Sequence, residues 1–279
     1  MRLARVTKDG KIGLAAKTGG TVTLSYGADI ADLDAHIAAG TLDAAGAKAA
    51  AGEAVDEATL TFLPPLARAG KVICLGLNYA DHAAEANLDV PEFPTIFARF
   101  ASNLIGHNAP ILKPKTSDQL DYEGEMVAVI GKRAKNVPAS EALSHVMGYS
   151  IFNDGSVRDY QLKTPQWTAG KNFDNTGSFG PWLVTADELP AGGEGLKIET
   201  RLNGNIMQSA STDQMIFNVE QTVTLLSSFL TLEPGDVLVM GTPSGIGLAR
   251  NPPVFMKDGD VVEVEIENIG LLRNPVAAE

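Results

Sequence analysis

The chain has 279 residues, of which 44% are hydrophobic and 20% are charged. This composition is typical of a soluble globular protein and excludes a wholly disordered one. Its 22 basic and 34 acidic residues give a formal net charge of −12, which disfavours binding to nucleic acid or to anionic lipid. One cysteine cannot form an internal disulfide, and we expect neither a signal peptide nor a membrane span. We therefore expect a soluble, cytoplasmic protein.

The first 65 residues differ in composition from the rest of the chain. Turn dipeptides separate short strand-like segments over residues 1–27, and an alanine-rich stretch over residues 28–58 predicts one or two helices. Pro64-Pro65 then stops any helix, because proline lacks the backbone donor. We predict a small N-terminal domain over residues 1–65 and a larger second domain over residues 66–279.

The second region contains more predicted strands than helices. Apolar and alternating runs predict strands at residues 72–75, 95–100, 123–130, 148–153, 196–202, 237–240 and 262–266. Helical spacing predicts helices at residues 78–87, 140–146 and 219–230. Because the strands do not alternate regularly with helices, a parallel βαβ fold is disfavoured. We predict an α+β fold with a largely β core.

Several common functional motifs are absent from the sequence. No G-x-G-x-x-G follows a predicted strand and no G-x-x-x-x-G-K-[ST] occurs, which disfavours the usual nucleotide-binding loops. Ser244 is one position too late for the nucleophile of a G-x-S-x-G elbow. Neither H-E-x-x-H nor paired cysteines are present to hold zinc.

A pair of carboxylates is the first candidate for chemistry. Glu123 and Glu125 flank Gly124 at the start of a predicted strand, where alternate residues share a face. Two such carboxylates repel each other unless a cation or a proton lies between them, and oxygen ligands suit Mg²⁺, Mn²⁺ or Ca²⁺. Asp154, at the end of another predicted strand, offers a third ligand. A solvated strand end and an ordinary turn explain the same residues, so these alternatives stay open.

A histidine and a glutamate form a second candidate. His82 and Glu85 are spaced i, i+3 on a predicted helix, which places them on one face within hydrogen-bond reach. A carboxylate beside an imidazole raises its basicity and fixes its tautomer, as a general base acting on water requires. An ordinary surface pair has the same spacing.

Four further polar residues are candidates for substrate contacts. Lys171 lies in a glycine-containing polar loop and would neutralise a developing oxyanion, unless it is a plain surface lysine. Arg158 suits a substrate carboxylate, or else pairs with Asp159, and Gln161 follows it closely. Thr242 begins a glycine-rich turn whose backbone N–H groups suit an anion, although such turns also simply connect strands.

The order of these features is more specific than any one of them. Taken together they resemble the fumarylacetoacetate hydrolase family over residues 70–275. The resemblance rests on Gly76-x-Asn78-Tyr79-x-x-His82-x-x-Glu85, Asp121-Tyr122-Glu123-Gly124-Glu125, Asn153-Asp154, Arg158-Asp159-x-Gln161, Gly170-Lys171-x-Phe173-Asp174, Gly180-Pro181 and Gly241-Thr242-Pro243-x-Gly245. Two positions depart from the usual pattern: Arg99 stands where many members have lysine, and Asp174-Asn175-Thr176 stands where many have Asp-Thr-Phe.

The resemblance implies a fold, a metal and roles for individual residues. The catalytic domain would be a mixed β-sandwich roll, in a homodimer or a dimer of dimers. One Mg²⁺ or Mn²⁺ per subunit would be bound by three carboxylates, and two residues would activate water. These implied roles are metal binding by Glu123, Glu125 and Asp154, water activation by His82 and Glu85, and substrate contact by Lys171, Arg158, Gln161, Thr242 and Tyr79.

The family's shared chemistry starts from a 2-oxo acid and passes through an enolate at C3. Because decarboxylation does not need a water-activating base, the intact His82–Glu85 pair favours hydrolysis of the C–C bond of an acylpyruvate or fumarylpyruvate. The implied setting is the breakdown of aromatic compounds. An oxaloacetate-type decarboxylase, an isomerase or a dehydratase is the alternative. A non-catalytic binding protein and a metal-free glycosidase with two carboxylates are more distant alternatives.

Overall fold

The computed structural model describes residues 1–85 and 92–279. Its strands are β1 (Arg2–Lys8), β2 (Lys11–Thr18), β3 (Thr21–Tyr26), β4 (Glu53–Val55), β5 (Thr61–Phe62), β6 (Val72–Gly76), β7 (Thr95–Arg99), β8 (Leu104–Ile105), β9 (Ile111–Lys113), β10 (Leu120–Asp121), β11 (Gly124–Ile130), β12 (Val146–Asp154), β13 (Ser156–Val157), β14 (Gly177–Thr185), β15 (Lys197–Leu202), β16 (Asn205–Ser211), β17 (Val237–Val239), β18 (Val261–Ile266) and β19 (Gly270–Ala278). Its helices are α1 (Ala28–Ala31), α2 (Leu33–Ala39), α3 (Leu42–Ala50), α4 (Ala80–Glu85), α5 (Ala139–Ala142), α6 (Arg158–Gln161), α7 (Thr168–Lys171) and α8 (Val219–Phe229). None of the helices in this described part has the length and apolar character that a membrane crossing requires.

The strands form a large sheet, a smaller sheet and a short ribbon. The large sheet runs in the order β4-β3-β2-β1-β14-β12-β11-β17-β6-β7, with β5 beside β1 and β8 beside β14. A five-stranded sheet has the order β16-β15-β18-β19-β9, and β10 pairs with β13. Most neighbouring strands are antiparallel, but β6 and β17 are parallel. This mixed architecture, with short helices around it, confirms the predicted α+β fold with a largely β core.

Strand β11 is buried on both faces and leads into the candidate site. Met126 and Ala128 pack in one hydrophobic cluster with Val264 of the five-stranded sheet. Val127 packs in a second cluster, which also contains Leu33 of α2. Because side chains alternate between the two faces of a strand, burial on both faces explains why the run is continuously apolar. The five-stranded sheet therefore covers one face of the large sheet, as in a sandwich.

Residues 1–65 extend the large sheet. Strand β1 pairs with β14 through Arg2 opposite Val184 and Leu3 opposite Leu183, and β5 returns to pair with β1. Strands β1–β3 and helices α1–α3 lie where the sequence predicts strands and helices. Strand pairing continues across the boundary that we place near residue 65, and the division into two domains stays a prediction.

Two predicted helices differ in extent from the observed elements. Residues 140–146 form α5 followed by a 3₁₀ turn over Leu143–His145. The helix predicted over residues 78–87 is observed in part, as α4. Residues 86 and 87 of the predicted helix lie outside the described part of the chain. Strand β14 has no counterpart among the predicted strands, because Gly177, Gly180 and Pro181 interrupt its pattern.

Candidate active site

Three buried carboxylates meet where β11 and β12 run side by side. Glu123 immediately precedes β11, Glu125 lies on it, and Asp154 ends β12. The strand register places Gly124 opposite Asn153, and the backbone N–H of Asp154 donates to the carbonyl of Glu123 at 2.9 Å. One oxygen from each of the three carboxylates lies within 4.8 Å of the others. The predicted metal ligands are therefore brought together.

Gly124 lets the backbone between the two glutamates pass close to the second sheet. A Cβ at this position would lie 2.1 Å from Oγ1 of Thr200 on β15. The carbonyl of Gly124 accepts a hydrogen bond from the Thr242 hydroxyl at 3.0 Å, and its N–H donates to Oε1 of Gln208 at 3.0 Å. The strand that carries Glu125 is thus fixed from both sides.

Three cationic side chains neutralise part of this acidic cluster. Lys171 Nζ lies 2.6 Å from Glu123 Oε2 and 2.8 Å from Asp154 Oδ2. Arg158 Nη1 lies 2.7 Å from Glu123 Oε1, and Arg99 pairs with the other oxygen of Asp154. All of these groups are buried. Burial opposes ionisation of Glu123, but the charges of Lys171 and Arg158 lower the pKa of its carboxyl to about 2.

Glu125 lacks such a partner. No cationic side chain in residues 1–85 or 92–279 forms an ion pair with it, and its Oε2 accepts a hydrogen bond from the N–H of Gly241 at 2.5 Å. Burial, together with the charges of Asp154 and Glu123, raises the pKa of the Glu125 carboxyl well above its usual value. A divalent cation held by oxygen ligands would supply the missing positive charge, so the residues fit Mg²⁺ or Mn²⁺.

His82 and Glu85 form the predicted pair on α4. His82 Nδ1 lies 3.4 Å from Glu85 Oε2. The N–H of Gly245 donates to both carboxylate oxygens of Glu85, at 2.9 and 3.1 Å. Gly245 has φ +102°, and a Cβ there would lie 2.1 Å from the carbonyl oxygen of Met207, so only glycine presents its N–H in this way. The dyad is thus fixed to the loop that follows β17.

Both members of the dyad line the same cavity as the acidic cluster. This cavity has a volume of about 410 Å³. Its polar lining residues are His82, Glu85, Glu123, Glu125, Arg158, Gln161, Lys171 and Thr242. Asp154 lies behind this lining, fully buried beneath Lys171 and Arg99.

The predicted substrate residues divide into two groups. Arg158, Gln161 and Thr242 line the cavity, and Arg158 Nη1 donates to Gln161 Oε1 at 2.9 Å. Arg158 Nη2 is buried without a hydrogen-bond partner among the described residues, so it remains available to a ligand. Tyr79 lies outside the lining of this cavity, beside a smaller one that Pro243 also lines. Its assignment as a substrate contact stays a prediction.

Asp121 is a residue of the site for which the sequence predicts no role. Arg158 pairs with Asp121 Oδ2 through Nε at 2.8 Å, whereas Asp159 accepts a hydrogen bond from Ser117. Asp121 also accepts from the N–H groups of Gly247 and Leu248, so it connects the arginine to the loop after β17. Its place in the motif with Glu123 and Glu125 was a signal, but spacing alone does not show which groups a carboxylate bonds.

A buried cluster of three carboxylates that could hold a metal ion lies beside the His82–Glu85 dyad on a mixed β sandwich, which is the arrangement that the motif order implies. The family model "Fumarylacetoacetate (FAA) hydrolase C-terminal" matches residues 71–277. The chain belongs to the fumarylacetoacetate hydrolase family and is an enzyme of that family. The resemblance seen in the sequence is thereby confirmed.

Relatives and solved structures agree with this assignment. Oxaloacetate tautomerase FAHD2A, mitochondrial, from Bos taurus is 47% identical over 219 residues, which are 78% of this chain and 69% of the bovine protein. A fumarylacetoacetate hydrolase from Exiguobacterium antarcticum superposes with a TM-score of 0.87 at 34% identity, covering 100% of both chains. Fumarylpyruvate hydrolase from Pseudomonas aeruginosa, in complex with Mn²⁺ and pyruvate, gives a TM-score of 0.70 at 31% identity, covering 78% of this chain and 92% of that one.

Proposed function

We propose that the protein interconverts the keto and enol forms of a 2-oxo dicarboxylic acid of the oxaloacetate type. The buried carboxylate cluster carries this proposal, together with Lys171 beside it and Arg158 Nη2, which has no hydrogen-bond partner among the described residues. Similarity to oxaloacetate tautomerases supports it. With this proposal we rank the isomerase alternative ahead of the hydrolase that the sequence favours.

Glu123, Glu125 and Asp154 would hold one Mg²⁺ or Mn²⁺ in each subunit. Bound there, the ion would act as a Lewis acid toward the carboxylate and 2-oxo oxygens of the substrate. The structures compared above include a relative with Mn²⁺, and the oxygen-only ligand set supports this choice of metal.

The chain's own groups would transfer the proton and compensate charge. In the direction from ketone to enol, the C3–H bond breaks, the C2–O double bond becomes a single bond as a C2–C3 double bond forms, and the proton that His82 removes from C3 passes to the C2 oxygen. His82, positioned by Glu85, accepts the proton from C3. Lys171 neutralises the negative charge that develops on the C2 oxygen. Arg158 Nη2 and Gln161 orient the second carboxylate.

Hydrolysis of a 2,4-dioxo acid is the second candidate, and the His82–Glu85 dyad favours it. When C4 is a ketone, the same base would deprotonate water for attack at C4. The C3–C4 bond then breaks, C3 takes up a proton, and a carboxylic acid and pyruvate are released. Oxaloacetate has a carboxylate at C4, so it does not offer this route.

The test is to follow tautomerisation of oxaloacetate by the ultraviolet absorbance of its enol. We expect the protein with Mg²⁺ to accelerate the reaction above the spontaneous rate, and EDTA to remove the acceleration. Glu125→Gln should lose it, whereas Glu233→Gln, at a surface pair with Arg133, should retain it. Pyruvate release from acetylpyruvate, measured in parallel, tests the hydrolase. If oxaloacetate tautomerises at its spontaneous rate in the presence of the protein, the proposed tautomerase activity is excluded.

We also propose that the protein is a homodimer or a higher homo-oligomer that acts on small molecules in the cytoplasm. The family resemblance supports the dimer, and the acidic composition supports the absence of nucleic acid among its partners. The bovine relative is, by its name, a mitochondrial protein. A role in aromatic catabolism stays a prediction. Light scattering of the purified protein and fractionation of its cells test the first two points.

A further inference from the structure

The active-site cavity is lined by apolar as well as polar side chains. The residues that form the apolar wall are Leu77, Phe97, Leu162, Trp167, Ile246 and Leu248. Among the described residues that line the cavity, the only lysine and arginine are Lys171 and Arg158, and both are paired with Glu123. A substrate group that extends past Lys171 and Arg158 to the rest of the apolar wall therefore meets no further lysine or arginine among the described lining residues.

A continuous series of contacts connects the carboxylate cluster to this wall. Lys171 Nζ lies 4.9 Å from the centre of the Phe97 ring, and this ring meets Trp167 edge-on with centroids 5.5 Å apart. The carbonyl of Trp167, immediately before α7, accepts the N–H of Lys171 at the end of α7, so the two residues are one helical turn apart. Trp167 lies so close to β6 that a Cβ on Gly76 would be 2.2 Å from its ring. The apolar wall thus begins one aromatic ring away from Lys171.

Leu77 adopts an unusual backbone conformation at the cavity. Its φ is +57°, in the left-handed region that residues with a branched apolar side chain rarely occupy. Asn78 fixes the turn, because its side chain donates to the carbonyls of Met240 and Phe217 and accepts from the N–H of Phe217. Strain of this kind persists where the surroundings impose it, often at ligand sites. Here it places an apolar side chain on the cavity.

We propose that the apolar wall binds an uncharged alkyl chain that extends from the C4 side of a 2-oxo acid, and that it rejects a second carboxylate at the end of such a chain. This inference rests on the proposed 2-oxo acid site. Each methylene that leaves water for an apolar surface strengthens binding about fourfold. A carboxylate at the end of a longer chain, beyond the reach of Arg158 Nη2, loses its hydration at this surface without gaining a partner. Among 2,4-dioxo acids, the substrates would then be acylpyruvates with straight, uncharged acyl chains.

The experiment measures binding by titration calorimetry with the Mg²⁺-loaded protein. The probes are straight-chain 2-oxo acids of four to eight carbons, and 2-oxo dicarboxylic acids of matched length. We expect affinity to rise about fourfold for each added methylene until the wall is filled. The longer dicarboxylic acids should bind at least about tenfold more weakly than the matched alkyl acids. Equal affinity along the alkyl series, or equal affinity for the matched dicarboxylic acids, would overturn the proposal.

Variants assign the effect to the wall. Leu77→Asn suits the left-handed backbone, because asparagine tolerates positive φ, and it replaces the apolar side chain by a polar one. We expect it to flatten the dependence of affinity on chain length. Trp167→Ala provides a second test of the same dependence. Ile206→Ala, which removes an exposed apolar side chain outside the cavity, should leave the dependence unchanged.

The two proposals can fail separately. If oxaloacetate is not tautomerised but the alkyl series still shows the expected dependence, the proposed reaction is wrong and the binding inference holds. If the protein tautomerises oxaloacetate but affinity does not change with alkyl chain length, the proposed reaction holds and the binding inference is wrong. A dependence that survives in both Leu77→Asn and Trp167→Ala would overturn the assignment to this wall.

Discussion

Lys171 is expected to stabilise the metal-free protein as well as to act in the reaction. Its ammonium group is buried and lies 2.6 and 2.8 Å from carboxylate oxygens of Glu123 and Asp154. Lys171→Met keeps a side chain of similar length but removes the charge. The buried carboxylates of Glu123 and Asp154 then lose a cationic partner. Glu125, beside them, forms no ion pair among the described residues.

The size of the effect follows from burial. Removing one partner of a buried ion pair costs about 3–5 kcal/mol, because the remaining charge is left uncompensated. For a chain slightly longer than 250 residues, each kcal/mol lost from the free energy of unfolding lowers the melting temperature by about 2–3 °C. The metal-free variant should therefore melt about 6–15 °C below the wild type. Saturating Mg²⁺ should reduce the difference, because the bound ion compensates the same carboxylates.

The assay is thermal unfolding with EDTA and with Mg²⁺, at one protein concentration. Lys113→Met is the matched control, because Lys113 pairs with Asp118 at the surface, where Asp118 is 94% exposed, and such pairs contribute less than about 1 kcal/mol. If metal-free Lys171→Met melts together with this control, Lys171 does not compensate the carboxylates. In turnover, losing one preorganised donor should lower kcat about 10²–10³-fold with little change in KM. A change confined to KM would show that Lys171 binds only the ground state.

Three further predictions concern a proposed metal ligand, the His82–Glu85 dyad and an arginine that positions another proposed ligand. Glu125→Ala should fold but lose metal-dependent activity, and full activity of that variant in EDTA would contradict the metal site. His82→Ala and Glu85→Ala should each lower the rate about 10²–10⁴-fold, with the double variant little slower, because they act as one unit. Normal kinetics of His82→Ala would show that the dyad does not act as the base. Arg99→Lys should weaken Mn²⁺ binding about tenfold in calorimetry. The lysine ammonium does not reproduce the bonds of the Arg99 guanidinium to Asp154 and neighbouring groups. An unchanged Kd for Mn²⁺ would show that Arg99 does not position Asp154 for the metal.

The alternation of side chains explains which parts of the fold could be predicted. Strand β11 and strand β18 have regular apolar patterns, and both were predicted within a residue or two. Strand β14 joins residues 1–65 to the rest of the large sheet, but its glycines and proline hide it. The pairing of β1 with β14 connects Arg2 with Val184, 182 positions further along the chain. Local patterns carry no information about such a distant partner.

The candidate site was predictable where its residues share one local element. Glu123 and Glu125 belong to one short segment, and His82 and Glu85 to one turn of helix, so spacing alone placed each pair correctly. The role of Asp121 depends on a loop more than a hundred residues away, whose N–H groups it accepts. Spacing did not separate the alternatives for Arg158 either, because its partners, Asp121 and Glu123, were fixed by tertiary structure.

The two departures from the family pattern prove to be neighbours in space. Arg99 Nη2 donates to Thr176 Oγ1 at 2.8 Å, and the Thr176 hydroxyl donates to the carbonyl of Phe173 at 2.7 Å. Through its other nitrogen, Arg99 holds the carboxylate of Asp154. A guanidinium has donors enough for both partners, whereas a lysine has a single nitrogen to direct at either. Arg99 and Thr176 are therefore joined in one hydrogen-bonded group that holds Asp154, the proposed metal ligand, and replacing either residue alone should disturb Asp154.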